Sequence, residues 1–167
     1  LNANANPEQI TNAVSKYLSR YFSKQNTDSI VGNTRLKGVV TFSQDPILDQ
    51  VFLKGLSEFE PINFKIDFDE AKEQLSSSFN IPYIKYQGSS ISNGQFALNS
   101  TANNFDLNFM VNNLQYEPVN IQNISLLGKV VDGTILLDFS TADETEKIIN
   151  INSEVIANDS LVKFHIN

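Results

Sequence analysis

The sequence predicts a mainly β fold: a curved antiparallel sheet trough built from two-strand repeats, with two short helices near the N-terminus. From Pro61 onward apolar and polar residues alternate, which is typical of strands that bury one face. Strand-length segments also recur at an interval of 30 residues. Before Pro61, two segments instead place apolar residues at helical spacing.

The repeat is clearest over residues 91–139, where one strand pair is followed by a second with matching apolar positions. Such self-similarity indicates a stacked architecture in which each unit covers the apolar face of its neighbour. Each unit should lengthen the sheet by about 10 Å, which is two strand spacings. Three sets of residues recur at this interval: Phe79, Phe109 and Phe139; Ile66, Phe96 and Leu126; Ile91, Ile121 and Ile151. We expect the first set to share one face.

The first predicted helix begins at Pro7 and ends near Lys24. Proline is tolerated at the first helical position, and Glu8 favours the positive end of the helix dipole. One helical stripe is apolar or aromatic, which predicts packing on the sheet. It consists of Ile10, Val14, Tyr17, Leu18 and Tyr21, of which we expect the last three to be buried.

A strand and a second helix are predicted next. Residues 35–42 alternate as a strand does. Asp45 as N-cap and Pro46 in the first turn predict a helix over residues 46–56, with Val51 and Phe52 buried. The expected organisation is therefore an amphipathic helix and linker at 1–34, packed on a repeat sheet module at 35–167. Both belong to one domain, which we expect to be a fragment of a longer chain.

The strands after Pro61 are separated by turn signals. A charged loop is predicted at Asp69–Gln74, and turns at Gly88–Asn93 and Asp132–Gly133. Pro82 should interrupt strand pairing or mark a sheet edge, because proline lacks the backbone donor. Roughly eight to ten strands follow from this reading. A sandwich or a closed barrel would show the same one-sided alternation, so the pattern leaves both alternatives open.

Composition excludes several classes of partner. The 12 basic and 19 acidic residues give a net charge of −7, which argues against nucleic acid and anionic lipid headgroups. Cysteine is absent, so there is no disulfide framework and no thiolate metal site. No apolar run is long enough to span a membrane.

No pattern in the chain indicates catalysis or metal binding. The G-x-S-x-G, P-loop and G-x-G-x-x-G motifs are missing. His165 is the single histidine, without a cysteine or second histidine to share a metal. The spacing of the acidic residues Asp67, Asp69, Glu70 and Glu73 does not match an EF-hand loop. We interpret this cluster as a solvated loop. The sequence therefore predicts a protein that is not an enzyme and needs no cofactor.

Several segments, taken in order, resemble a known family. They are Phe52–Phe64, Ile81–Gly88, Ile91–Asn93, Leu126–Lys129 and Asp132–Thr134. Together they resemble the translocation and assembly module family TamB, in the form found in Bacteroidetes and related bacteria, within the wider AsmA-like group. The resemblance covers Arg35–Asn167, and the helix Pro7–Lys24 also has a counterpart in that form.

The resemblance implies a trough of β-strands with an apolar lining, called a β-taco, in a periplasmic protein anchored in the inner membrane. It implies a role in phospholipid transport to the outer membrane and in outer-membrane protein assembly with a BamA-like barrel. We expect other regions of the full-length protein to bind that barrel. The family offers no catalytic residues to carry over.

An apolar trough suits phospholipid acyl chains, because it shields hydrocarbon from water without specific polar contacts. We expect acyl chains to contact one set of residues: Phe64, Ile66, Phe79, Phe96, Leu98, Leu107, Phe109, Leu137, Phe139 and Ile151. The alternative is a structural or adhesive β-repeat protein with a closed core.

Overall fold

The computed structural model describes residues 1–22, 32–45, 50, 54–131, 134–142, 147–158 and 161–166. In chain order the elements are β1 (Asn2–Ala3), α1 (Pro7–Phe22), β2 (Arg35–Phe42), β3 (Leu56–Phe59), β4 (Ile62–Asp69), a 3₁₀ turn (Glu70–Lys72), β5 (Gln74–Tyr86), β6 (Ser89–Thr101), β7 (Asn104–Tyr116), β8 (Val119–Val131), β9 (Thr134–Ala142), β10 (Lys147–Asn158) and β11 (Leu161–Ile166).

The described strands form one open antiparallel sheet. Their order is β1-β2-β4-β5-β6-β7-β8-β9-β10-β11, and β3 pairs with β5 beside β4. Phe59 pairs with Ile84 and Phe64 with Phe79, so β3 and β4 follow one register along β5. They are two parts of one strand, interrupted at Glu60 and Pro61. The predicted mainly antiparallel fold is confirmed, and the sheet is not closed.

The 30-residue repeat has a simple origin in strand and loop lengths. Strands β5, β6, β7 and β8 each contain 13 residues, and two residues separate each strand from the next in the described hairpins. Phe79 pairs with Phe96, which pairs with Phe109. Phe109 pairs with Leu126, which pairs with Phe139. Phe79, Phe109 and Phe139 therefore lie in one row on one face, as predicted.

In two of the recurring sets, one member lies in a different row of the sheet from the other two. Ile151 pairs with Phe139, so it lies in the row of Phe96 and Leu126 and not with Ile91 and Ile121. The reason is that β9 has only nine residues, so the chain turns back toward β10 earlier and the pairing register changes. Ile66 pairs with Ser77, one row away from Phe96 on the same face.

The turn predicted at Gly88–Asn93 is shorter than expected. Gln87 and Gly88 alone connect β5 to β6, with φ of 47° and 84°. Positive φ at both central residues is the geometry of a tight type I′ hairpin turn, so Ser89 already joins the next strand.

The second predicted helix, over residues 46–56, is wrong at its C-terminal end. Gly55 has φ of 106°, which an α-helix does not accept, and its carbonyl accepts a hydrogen bond from Gln87 N at 2.9 Å. Leu56 is buried and pairs with Tyr86 in the sheet. Most of the remaining span, including Val51 and Phe52, lies outside the described residues.

Helix α1 begins at Pro7 as predicted, and its N-terminus has a capping box that was not predicted from the sequence. Asn6 Oδ1 accepts from Gln9 N at 2.9 Å, and Asn6 N donates to Gln9 Oε1 at 3.1 Å. The helix buries Ala13, Tyr17 and Tyr21 against the sheet, and Leu18 packs partly buried beside them. The sheet side of this core consists of Leu36, Phe68, Leu75 and Phe105, on β2, β4, β5 and β7. The helix therefore crosses several strands.

Candidate functional site

The most extensive apolar feature is a row of side chains that crosses eight strands. Each member pairs with the next on the neighbouring strand, which places them all on one face. We call it the Phe row; it consists of Val40, Phe64, Phe79, Phe96, Phe109, Leu126, Phe139 and Ile151. Phe79 and Phe96 stack with ring centroids 4.8 Å apart. None of the row belongs to the buried core under α1, and its side chains keep intermediate to high exposure.

A second row lies two residues away on the same face. We call it the Leu row; it consists of Gly38, Ile66, Ser77, Leu98, Leu107, Gly128, Leu137 and Ser153. Gly128 makes room for its neighbours. A Cβ at this position would lie 3.1 Å from Leu137 Cδ2 and 3.2 Å from Leu107 Cβ. The two leucines therefore close over the glycine and keep the floor apolar.

All ten residues predicted to contact lipid lie in these two rows. Six are in the Phe row: Phe64, Phe79, Phe96, Phe109, Phe139 and Ile151. Four are in the Leu row: Ile66, Leu98, Leu107 and Leu137. The structure thus brings the predicted residues together on one face, and their contact with lipid stays a prediction.

A transverse line of irregular residues divides this face. The β5–β6 ladder passes from Ile81–Gly94 to Tyr83–Ser92, and the next two ladders skip a pair at the equivalent position. We call this line the seam; it consists of Pro61, Pro82, Asn93, Asn112 and Asn123. Asn93 and Asn123 adopt φ of 53° and 47°, which asparagine tolerates better than most residues. The prediction that Pro82 interrupts pairing is confirmed.

The seam turns each strand so that its apolar side continues on the same face. A Cβ built on Gly94 would contact Ile91 Cγ2 at 3.4 Å, although residues three apart on a regular strand face opposite sides. The sequence changes phase at the same place on four strands: Ile81 to Ile84, Ile91 to Gly94, Val111 to Leu114, and Ile121 to Ile124. Beyond the seam, Ile84, Ile91, Leu114 and Ile121 pair in a further apolar row.

Helix α1 closes one end of the apolar face. The Tyr17 hydroxyl donates to the Glu73 carbonyl at 3.0 Å and lies 3.1 Å from Ser100 Oγ. The Tyr21 hydroxyl donates to the carbonyl of Thr101, the last residue of β6 before the turn to β7. The two tyrosines therefore fix the helix to successive turns of the repeat.

Charge and burial reinforce this attachment. The Arg20 guanidinium lies 5.0 Å from the centre of the Tyr17 ring and donates to Glu73 Oε1. Burial raises the pKa of Tyr21 well above its usual value, and the hydrogen bond with the Tyr17 hydroxyl raises it further. Tyr21 thus stays a neutral donor at physiological pH.

At the opposite end of the apolar face, Leu56 and Phe59 of β3 are buried and pair with Tyr86 and Ile84. Two tyrosines lie there, 30 residues apart, at the ends of β5 and β7. Tyr86 is 40% exposed and Tyr116 is 67% exposed. Each follows an apolar residue of the row beyond the seam, Ile84 or Leu114, by two positions and so shares its face. We call this end the tyrosine rim.

The polar face carries an open depression beside β1, with a volume of about 610 Å³, in which several charged groups are paired. Arg35 pairs with Asp69 at 3.4 Å, Lys37 with Asp67 at 2.6 Å, and Lys72 with Asp69 at 3.6 Å. The predicted acidic loop is therefore tied to basic neighbours. Among the residues that the structure describes, no group of three acidic or histidine side chains is placed to hold a metal. The side chain of His165 lies outside the described part.

Some residues of the face were missed in the sequence reading. Leu126 recurs 30 residues after Phe96, so the signal for its place in the Phe row was present. Val40 lies on a strand before the repeats, where the period gives no guide. The phase change that marks the seam was also readable, because it occurs at both Ile91 and Ile121.

Comparison of the chain with models of protein families, with curated proteins and with solved structures finds no match. Within the described residues, no helix is long and apolar enough to cross a membrane.

Proposed function

We propose that this protein is a non-enzymatic module that carries phospholipid acyl chains on its apolar face. The single observation that supports this most strongly is the Phe row. At a strand spacing of about 4.8 Å, a row that crosses eight strands is about 34 Å long. With the neighbouring rows, it forms a continuous apolar band. Ile66, Leu98 and Leu107 of the Leu row pack against the core under α1, whereas the Phe row lies outside that core.

The chemistry of the band suits hydrocarbon. The side chains of its two rows carry no charge, and their polar groups are the hydroxyls of Ser77 and Ser153. A ligand therefore gains free energy there mainly by leaving water and not by directed bonds. An acyl chain fits this description, because each buried methylene contributes about 0.8 kcal/mol wherever it lies along the row. A repeated surface without specific contacts also allows a chain to move from one unit to the next.

In the cell, we propose a place for the module within a TamB-like protein of the periplasm, anchored in the inner membrane. The proposal rests on the resemblance of residues 35–167 to that family. It would then serve phospholipid transport to the outer membrane, and other regions of the full-length protein would meet a BamA-like barrel during outer-membrane protein assembly.

The alternative, a structural or adhesive β-repeat protein, was expected to have a closed core. The described strands instead form an open sheet with a partly exposed aromatic row. This observation favours the lipid-carrying proposal.

A binding measurement tests the proposed function. The purified chain is incubated with vesicles that contain a fluorescent-acyl phosphatidylcholine and then separated from them by flotation. Lipid recovered with the vesicle-free protein, saturable with concentration, is the expected result. Protein that recovers no lipid at any concentration contradicts the proposal.

A further inference from the structure

The two ends of the apolar face differ in a way that orients a ligand. Helix α1 covers the end formed by the turns after β4 and β6, through Tyr17 and Tyr21. At the other end, the tyrosine rim leaves Tyr86 and Tyr116 exposed. A tyrosine ring is apolar along its body and polar at its hydroxyl, which suits a boundary between hydrocarbon and water.

The distance from the rim to the seam is close to the length of one acyl chain. Phe109 and Tyr116 are seven residues apart on β7, at most about 23 Å along an extended strand. An acyl chain spans half of the roughly 30 Å hydrocarbon core of a bilayer, or about 15 Å. A chain that starts at Tyr116 therefore passes the seam at Asn112, at most about 13 Å away, and its methyl end points toward the Phe row, which lies up to about 8 Å beyond that end.

The charged residues near the rim indicate which class of lipid headgroup can bind there. Lys85 pairs with Glu58 at 3.7 Å, so its charge is already balanced. The other charged residues described near the ends of these strands are Lys54, Glu60 and Glu117, and the whole chain has a net charge of −7. These described residues form no basic cluster for a headgroup with net negative charge.

We propose that the tyrosine rim is the headgroup end of the lipid site, and that it takes zwitterionic phospholipid. The headgroup lies beside Tyr86 and Tyr116, and the acyl chains extend across the seam toward the Phe row. This proposal rests on the proposed function. It adds the direction in which the ligand lies and the class of its headgroup.

The chain has no tryptophan, so each introduced tryptophan is a single reporter. Tyr116→Trp reports the rim, Phe109→Trp reports the Phe row, and Met110→Trp is a matched control on the opposite face. Tyr86→Trp is a second rim reporter in case one variant does not fold. Each folded variant is loaded with phosphatidylcholine brominated either near the acyl carbonyl or near the methyl end, and its fluorescence is measured after removal of vesicles.

We expect the two brominated lipids to quench in opposite order at the rim and at the Phe row. Near-carbonyl bromine quenches the rim tryptophan more strongly, methyl-end bromine quenches Phe109→Trp more strongly, and Met110→Trp is not quenched. The same order at both positions, or equal quenching of Met110→Trp, overturns the proposal while lipid binding stands. Protein found only on the vesicles also overturns it, because a membrane surface would then be the partner. Absence of quenching in every loaded variant means that the proposed function itself has failed.

The headgroup is tested with the same reporters. Phosphatidylglycerol with matched chains should load less than phosphatidylcholine at low ionic strength, because its net charge repels that of the protein. Equal or greater loading of the anionic lipid overturns the assignment of headgroup class.

Discussion

On β6, Ile91 and Gly94 face the same side of the sheet although they are three residues apart. A Cβ at Gly94 would lie 3.4 Å from Ile91 Cγ2. Asn93, between them, holds the left-handed φ of 53° that turns the strand. This turn lets the apolar face continue past the seam, so the width of the face depends on a backbone conformation and not only on apolar side chains.

Asn93→Val should therefore destabilise the fold. A β-branched residue in the left-handed region costs about 1–2 kcal/mol, and asparagine avoids part of this cost. Asn112→Val is the matched control, because Asn112 lies on the same seam without a positive φ. Urea denaturation should give a lower midpoint for Asn93→Val than for Asn112→Val. Equal midpoints would show that the left-handed turn is not required.

Gly128→Val tests the packing of the Leu row. The added side chain would overlap Leu107 and Leu137, and overpacking of this kind costs about 1–3 kcal/mol. Gly94→Ala is the control, because its Cβ meets Ile81 only at ordinary contact distance. We expect Gly94→Ala to be neutral or to stabilise by up to about 1 kcal/mol. A Gly128→Val variant as stable as the parent in urea would contradict the close approach of the two leucines.

Tyr17→Ala tests whether α1 is docked. Tyr17 is buried, contacts Phe68 with ring centroids 5.6 Å apart and donates to Glu73. Loss of a buried aromatic side chain costs about 3–5 kcal/mol. Lys16→Ala, on the exposed side of the helix, should have a small effect. If both variants shift the thermal midpoint equally, the helix does not contribute to the sheet in solution.

The raised pKa of Tyr21 predicts that the folded state loses stability at high pH. Its pKa is raised in the folded state, so above the unfolded value of about 10 the unfolded chain releases a proton that the folded chain retains. The contribution of Tyr21 is therefore complete below about pH 10 and declines as the pH rises further. Tyr21→Phe lacks this term and should show a shallower decline. Identical slopes in urea denaturation between pH 9 and 11, values chosen to bracket the ordinary tyrosine pKa of about 10, would contradict it.

Much of the sheet was predictable, because alternation and period are local properties of the sequence. The row of Phe79, Phe109 and Phe139 follows from a repeat that can be counted in the printed chain. Helix α1 was predictable in the same way, since Tyr17 and Tyr21 lie on one helical stripe. These patterns report which side of an element is buried.

The rest depended on information that a pattern does not carry. Ile151 lies in a different row from the predicted one, because the short β9 changes the register and its length is set by pairing. Residues 54–56 were assigned to a helix from apolar spacing, but the backbone of Gly55 and the pairing of Leu56 with Tyr86 decide otherwise. The exposure of Tyr86 and Tyr116 required knowing where each hairpin turns.

The central claim, that the apolar face carries acyl chains, is tested most directly by a pair of adjacent substitutions. Phe109→Glu places a carboxylate in the Phe row, where it disfavours hydrocarbon contact. Met110→Glu places the same charge on the opposite face, at a side chain that is already 38% exposed. A photoreactive residue at Leu107 reports lipid in both variants, and circular dichroism and melting profiles confirm folding. We expect lipid crosslinking at Leu107 to be lost in folded Phe109→Glu and retained in Met110→Glu. Crosslinking that persists equally in both folded variants, or that never occurs in the parent, would contradict the proposal that this face carries acyl chains.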